Sequence, residues 1–265
     1  MAIWKYFCIA LVVLALGAVQ STQAGDWSNT IAAAAFDGSL YTIEKSGALY
    51  RTDLGSGKYV QVGKAEFGNT KLLIAGPKNL FTLEKDGSLY RISPTDGSWA
   101  PVGKAGEWKN TVAAVFVDTR LFSIESSGEL YGTNPVSGVW AQVGKPEFGK
   151  TRRMFSANDS LYTIESDGSF YAINPANGSW IGVGKPGDWK NTIAGTTMNG
   201  TIYTVESDGG LYATNPATGA WKQIGKAEFS KTRYIFGANG SLYTLEAGGL
   251  YKVDPSTGVW VQIDK

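Results

Sequence analysis

One stretch of about 40 residues recurs six times and accounts for nearly the whole chain. Its opening aromatic stands at Trp27, Phe67, Trp108, Phe148, Trp189 and Phe229, at spacings of 40, 41, 40, 41 and 40 residues. A fixed period of this size belongs to architectures built from one supersecondary unit per repeat, each burying its apolar faces against its neighbours. The clearest copy runs from Asp188 to Lys226 and contains four short apolar or β-branched segments, 192–198, 201–206, 210–214 and 220–224. Turn signals separate them. Asn199-Gly200 favours a two-residue hairpin of positive φ, Asp208-Gly209 marks a second turn, and Asn215-Pro216-Ala217-Thr218-Gly219 favours a type I turn closed by a left-handed glycine. Each repeat is therefore expected to form a meander of four antiparallel strands.

The strands alternate little between apolar and polar residues. In Leu40 to Glu44 and Leu161 to Glu165, both of sequence LYTIE, large side chains point to both faces, so both faces must be covered. Four-stranded sheets stacked face to face around an axis achieve this, which makes the expected fold an all-β, six-bladed propeller. The Gly and Pro punctuation excludes a helical solenoid.

Alternate copies differ in type. Repeats one, three and five open on Trp and continue with small residues (Ala32 to Ala35, Ala113 and Ala114, Ala194 and Gly195). Repeats two, four and six open on Phe and continue with larger ones (Leu72 to Ile74, Met154 and Phe155, Tyr234 to Phe236). The unit is thus a two-blade pair of 81 residues repeated three times, and the propeller should have pseudo-threefold symmetry. Small against large suits a crowded axis if this segment is innermost. Because the chain begins and ends in the same phase of the repeat, ring closure should lack a strand shared between the termini.

Residues 1–24 differ from all that follows: Lys5, an apolar run from Phe7 to Val19, and a polar end at Ser21 to Ala24 before Gly25. This pattern reads as a secretory signal peptide, leaving 25–265 as one propeller domain, secreted to the extracellular space or periplasm. The run is too short to span a bilayer, which takes about 20 residues, so no membrane insertion is expected after cleavage. The only cysteine, Cys8, lies in the leader, so the mature chain has no thiolate for catalysis or metal binding, and the absence of histidine removes the usual general base and the usual zinc ligand. No catalytic residue, metal ligand or cofactor site is assigned. The net charge of +1 falls to zero when Lys5 is removed with the leader, so no basic field for nucleic acid exists.

Several positions recur in all six copies. Glu44, Glu84, Glu125, Glu165, Glu206 and Glu246 form one set, and Lys64, Lys104, Lys145, Lys185, Lys226 and Lys265 another. The carboxylates either pair with a lysine or the backbone within each blade or make a ring for a cation or sugar hydroxyls, the first being favoured because a half-buried charge needs its own partner. Tyr50, Tyr90, Tyr131, Tyr171, Tyr212 and Tyr251, with Tyr59, Trp99, Trp140, Trp180, Trp221 and Trp260, are read as wedges between blades. Trp27, Trp108 and Trp189, with Asn29, Asn110 and Asn191, sit instead in the loops joining blades, where a side chain is free to line a cleft. An aromatic face beside amide and carboxylate groups suits a sugar, which makes these six the candidate carbohydrate-binding residues. Lys71, Arg152 and Arg233 follow the recurring threonine in the even repeats. They either face the channel, where they could hold an anion, or pair with Glu66, Glu147 and Glu228.

The frame from Ile224 to Trp260, with its Ile-Gly-Lys and aromatic opening, its Asn-Gly-Ser-Leu-Tyr hairpin and its Trp-terminated turn, resembles the tachylectin-2 family of β-propeller lectins. The likeness runs through all six copies. It implies a non-enzymatic lectin with N-acetylhexosamine-type sites in or between the blades. The period here is shorter than in that family, and the even repeats replace the opening Trp by Phe. The function expected is a secreted, multivalent carbohydrate-binding protein with glycan partners. The alternatives are a protein-binding scaffold using the propeller face and a channel-sited hydrolase built on two of the recurring glutamates.

Overall fold

The computed structural model describes residues 26–264. The leader expected at 1–24 lies outside them. Within these residues no helix is long and apolar enough to cross a membrane. Apart from one 3-10 turn at Trp27–Asn29, all regular structure among the described residues is β. There are six sheets of four antiparallel strands, each paired in sequence order. In the fifth blade the strands are Thr192–Met198, Thr201–Glu206, Leu211–Thr214 and Trp221–Ile224, within a residue of the segments read from sequence. Asn199 and Gly200 both take positive φ, at 49° and 73°, as the hairpin requires.

The first strand of each blade (Thr30–Phe36, Thr70–Ala75, Thr111–Val117, Thr151–Ala157, Thr192–Met198 and Tyr234–Ala238) packs beside the first strand of the next, so these six line the axis. Second strands are covered on both sides: Leu80 to Glu84 are all buried. The cores lie between blades, one spanning blades one and two through Ile43, Leu49, Phe67 and Leu80. The small and large first strands do alternate around the axis, with Ala33, Ala114 and Gly195 facing a channel that also takes Leu73, Met154 and Tyr234.

A β-bulge interrupts the first strand of blades one to five directly after the recurring threonine. In blades two and four it decides where Lys71 and Arg152 go. In blade four, Thr151 stands opposite Glu165 and Arg153 opposite Ile164, so Arg152 is the extra residue and turns sideways. Its guanidinium donates to the carbonyls of Trp189 and Lys190 in blade five at 3.1 and 3.0 Å. Lys71 donates likewise to the Thr111 carbonyl at 2.5 Å, and Arg233 to Trp27 and Thr30 at 2.7 and 2.5 Å. The three cations therefore tie each even blade to the next odd one. They do not pair with the entry acids, which have other donors. The bulge turns Lys71 and Arg152 away from the axis, whereas Arg233 still borders the channel with its guanidinium bonded to the blade-one carbonyls.

Among the described residues no sheet combines strands from the two ends of the chain, in keeping with the phase of the repeat. Blade six meets blade one through an apolar cluster of Trp27, Leu40, Leu54, Phe236, Tyr243 and Leu250. Where the other repeats end Val-Gly-Lys or Ile-Gly-Lys, the last ends Ile263-Asp264-Lys265, and Asp264 is buried at the joint. Gly57, at φ 70°, lies against Ile263 and Asp264 so tightly that a Cβ would overlap the Ile263 carbonyl.

Candidate functional site: a cleft at the entry to each blade

Each repeat enters its blade through an acid and an aromatic: Asp26-Trp27, Glu66-Phe67, Glu107-Trp108, Glu147-Phe148, Asp188-Trp189 and Glu228-Phe229. The entry loop is pinned on both sides. The Trp108 N–H donates to the Gly87 carbonyl of the preceding blade at 3.1 Å, and the Asn110 carbonyl accepts from Ser126 of its own blade at 2.9 Å. Phe67, Phe148 and Phe229 make the same bond to Gly47, Gly128 and Gly209 at 3.0 Å.

This anchoring buries the aromatic. Trp27, Trp108 and Trp189 are only 4 %, 3 % and 3 % exposed, which corrects the expectation that their rings stand free of the core. Glycine makes the space: a Cβ on Gly103 would lie 2.5 Å from the Trp108 ring, and Gly184 stands in the same relation to Trp189. The rings exposed to solvent are the outer ones. Trp99, Trp140, Trp180, Trp221 and Trp260 are 40–52 % exposed, although their strand positions read as buried wedges. They begin fourth strands, which are sheet edges with no neighbour beyond them.

Each outer tryptophan packs against the tyrosine of its blade, with ring centroids 4.8 Å apart for Tyr90 and Trp99 and 5.0 Å for Tyr131 and Trp140. In four blades its indole N–H reaches the entry acid: Trp99 to Glu66 at 3.1 Å, Trp180 to Glu147 at 3.0 Å, Trp221 to Asp188 at 3.3 Å and Trp260 to Glu228 at 3.1 Å. In blade three Glu107 accepts from the Lys104 N–H at 2.9 Å instead. The cleft there measures about 200 Å³ and is lined by Glu107, Trp108, Asn110, Glu125, Tyr131 and Trp140. Its counterpart in blade two measures about 130 Å³ and brings together Glu66, Asn69, Glu84, Asp86, Tyr90 and Trp99. Asn110 thus lies in the cleft as expected, with Trp108 contributing only an edge. Asn29 and Asn191 are exposed at the equivalent positions of blades one and five, while blades four and six carry Lys150 and Lys231 there.

The recurring glutamates form the floor. Glu44, Glu84, Glu125, Glu165 and Glu206 each accept from the threonine that opens the first strand of their own blade, at 2.5–2.9 Å. Their partner is a hydroxyl and not the recurring lysine, since Lys64, Lys104, Lys145, Lys185 and Lys226 are exposed. Burial pushes all six carboxyls above their ordinary range, and in the five that accept from a threonine that bond only partly offsets it. Among the described residues no three acids gather into a group able to hold a metal. The cleft therefore offers two aromatic surfaces, an amide, and carboxylates at its rim and floor, a set able to stack on a ring and bond its polar substituents.

No family model matches the chain, and no curated protein matches it. Solved structures do. BamB from Moraxella catarrhalis is similar at 18 % identity over 86 % of this chain and 68 % of that one, with a TM-score of 0.51. The WD40 domain of Neurospora crassa Pan2 is similar at 9 % identity over 85 % and 75 %, with a TM-score of 0.58. PorZ, a surface component of the type-IX secretion system of Porphyromonas gingivalis, is similar at 12 % identity and a TM-score of 0.60. This chain spans 89 % of its own length there but only 33 % of PorZ. Likeness at such identities speaks for the fold alone. The protein is a six-bladed β-propeller built from three two-blade units.

Proposed function

We propose that the protein is a secreted, multivalent carbohydrate-binding protein of tachylectin-2-like type, without catalytic activity, that takes N-acetylhexosamine-type sugars in its entry clefts. The observation that carries this is the recurrence in every blade of a partly exposed outer aromatic beside a tyrosine and an entry acid, joined in blades one, two, three and five by an asparagine. The proposed contacts in the odd blades are Asn29, Asn110 and Asn191, with the edges of Trp27, Trp108 and Trp189 and the outer aromatics Tyr59, Trp140 and Trp221. Near-identical clefts on one rigid ring give avidity from weak single contacts. A glycan array probed with the chain from Gly25 onward, followed by titration of the hits, tests this. Saturable binding of N-acetylated sugars at more than one site per chain supports it, and a blank array removes it.

A second reading rests on the rim. Val136, Val139, Ile181 and Val259 are 67–74 % exposed on or beside the open fourth strands, a surface suited to a protein partner. A partner copurifying at fixed stoichiometry, together with a blank array, would favour it.

A further inference from the structure

The axial channel does not share the uniformity of the clefts. One register position, which directly follows the bulge in blades one to five, is filled by Ala32, Leu72, Ala113, Arg153, Ala194 and Tyr234, opposite Ile43, Leu83, Ile124, Ile164, Val205 and Leu245, and of these Arg153, Ala194 and Tyr234 line the channel. The three alanines are buried. The three larger residues are related by the pseudo-threefold axis, yet one is apolar, one a cation and one a phenol. A repeat kept alike for packing alone has no use for this difference, and a single asymmetric ligand does.

The channel encloses about 630 Å³. Sites for small molecules fall at about 300–1,000 Å³. Among the described residues its charged lining is Arg153 and Arg233, and no carboxylate lines it. Arg233 is committed to the Trp27 and Thr30 carbonyls and has Glu44 of blade one as an electrostatic partner. Arg153 is different. Its guanidinium donates to the Ile193 carbonyl at 2.5 Å and weakly to that of Arg152 at 3.4 Å, which leaves three of its five N–H groups for another acceptor. It is solvent-accessible yet hemmed in by protein, and burial and the neighbouring Arg152 both work against its charge. A cation so placed without a carboxylate is stabilised by an anion brought in from outside. Neutral groups stand ready beside it: Ser156, Thr196 and Thr197 line the same space. So does Tyr234, whose hydroxyl is held protonated by burial.

We propose that the axial channel binds one small ligand carrying a carboxylate or sulfate group, with Arg153 as its anchor and the Tyr234 hydroxyl as a second donor. The fork of the guanidinium matches the paired oxygens of either group. The site is independent of the entry clefts, so loss of neutral-sugar binding in a cleft variant leaves it intact, and the reverse holds.

Calorimetric titration of the chain from Gly25 onward at low salt tests this with sodium glucuronate, sodium sulfate and a glucuronate-terminated oligosaccharide, with glucose as the neutral control. One site per chain for glucuronate and sulfate is expected, with affinity falling as sodium chloride is added and no heat from glucose. Tighter binding of the oligosaccharide makes the source an acidic glycan end, and equal binding makes it a free small acid; both uphold the site. Arg153→Leu should weaken glucuronate at least about tenfold with an unchanged melting temperature, because Leu72 already fills the same register position in blade two. Arg153→Lys, which keeps the charge and loses the fork, should fall between. Absence of saturable glucuronate or sulfate binding, equal binding of glucose, or full affinity in Arg153→Leu overturns the proposal.

Discussion

The indole N–H of Trp27 donates to the carboxylate of Asp264 at 2.5 Å, joining residues 237 positions apart across the closing joint of the ring. The same carboxylate accepts from the Leu250 N–H and the Gln262 amide, both at 3.1 Å. At this position the other repeats carry Gly63, Gly103, Gly144, Gly184 and Gly225, so one departure from the repeat supplies the polar clasp that a shared strand would otherwise give.

Asp264→Ala is therefore expected to act at the joint. It leaves the Trp27 and Leu250 donors buried without an acceptor, which costs about 2–3 kcal/mol. For a domain of this size that lowers the melting temperature by roughly 5–10 °C. Asp264→Asn, which retains an acceptor, should lose less. A melting temperature unchanged in Asp264→Ala would show that the apolar cluster alone closes the ring.

Stability should respond to pH in two opposite ways. The buried carboxyls of Glu84 and Glu165 are raised above 4.5, chiefly by burial, so the folded chain holds protons that the unfolded chain releases. Their contribution is full below 4.5 and is lost as pH rises through the raised value. The exposed turn carboxyls of Asp53, Asp96 and Asp254 are lowered by hydrogen bonds from their own turns, Asp96 to about 2. Theirs is present above 3.8 and disappears as pH falls below it. Thermal melts from pH 7 downward should show stability holding or rising to about pH 4.5 and falling below about pH 3.8. Glu165→Gln should flatten the upper part of that curve. A steady loss of stability from pH 7 to 5 would contradict it.

Period, turn chemistry and the alternation of Ala33 with Leu73 were enough to place the strands, because each is a local consequence of sequence. What stayed illegible depended on contacts between repeats. Arg152 sits in a strand and would face the axis if the strand were regular; only the bulge sends it to the next blade. Trp108 looked like a free loop residue, yet the missing side chain of Gly103 leaves the space that buries it. Trp140 looked like a core wedge, but it begins an edge strand. The Val-Gly-Lys before Trp108 and Trp189 is the available signal, since a glycine ahead of an aromatic marks a close approach.

That inversion of exposure separates two variants of the third cleft. Trp108→Ala empties a buried site and should cost about 3–5 kcal/mol. Any loss of sugar binding would then follow from lost structure. Trp140→Ala removes a ring that is 45 % exposed and should change stability by under about 1 kcal/mol. Its affinity for an N-acetylhexosamine in that cleft should drop about tenfold, equivalent to roughly 1.4 kcal/mol. Asn110→Ala should behave like Trp140→Ala. Full binding in both would move the sugar out of the entry clefts.

The fourth cleft carries an ion pair that the third lacks. Lys150, where blades one, two, three and five carry asparagine, lies 3.3 Å from Asp167, and the two side chains are 70 % and 46 % exposed. A pair so open to solvent contributes about 0–1 kcal/mol to stability. Its effect on binding is larger, because the ammonium occupies the place of an amide and holds a carboxylate that would otherwise be available to a hydroxyl. Lys150→Asn should therefore leave the melting temperature within about 2–4 °C of the parent. The titrated number of N-acetylhexosamine sites should rise by one per chain, and Trp180→Ala in that background should remove the added site. An unchanged number of sites would mean that Lys150 is not what keeps sugar out of the fourth blade. The tie between Trp180 and Glu147, at 3.0 Å, would then be the next bond to break.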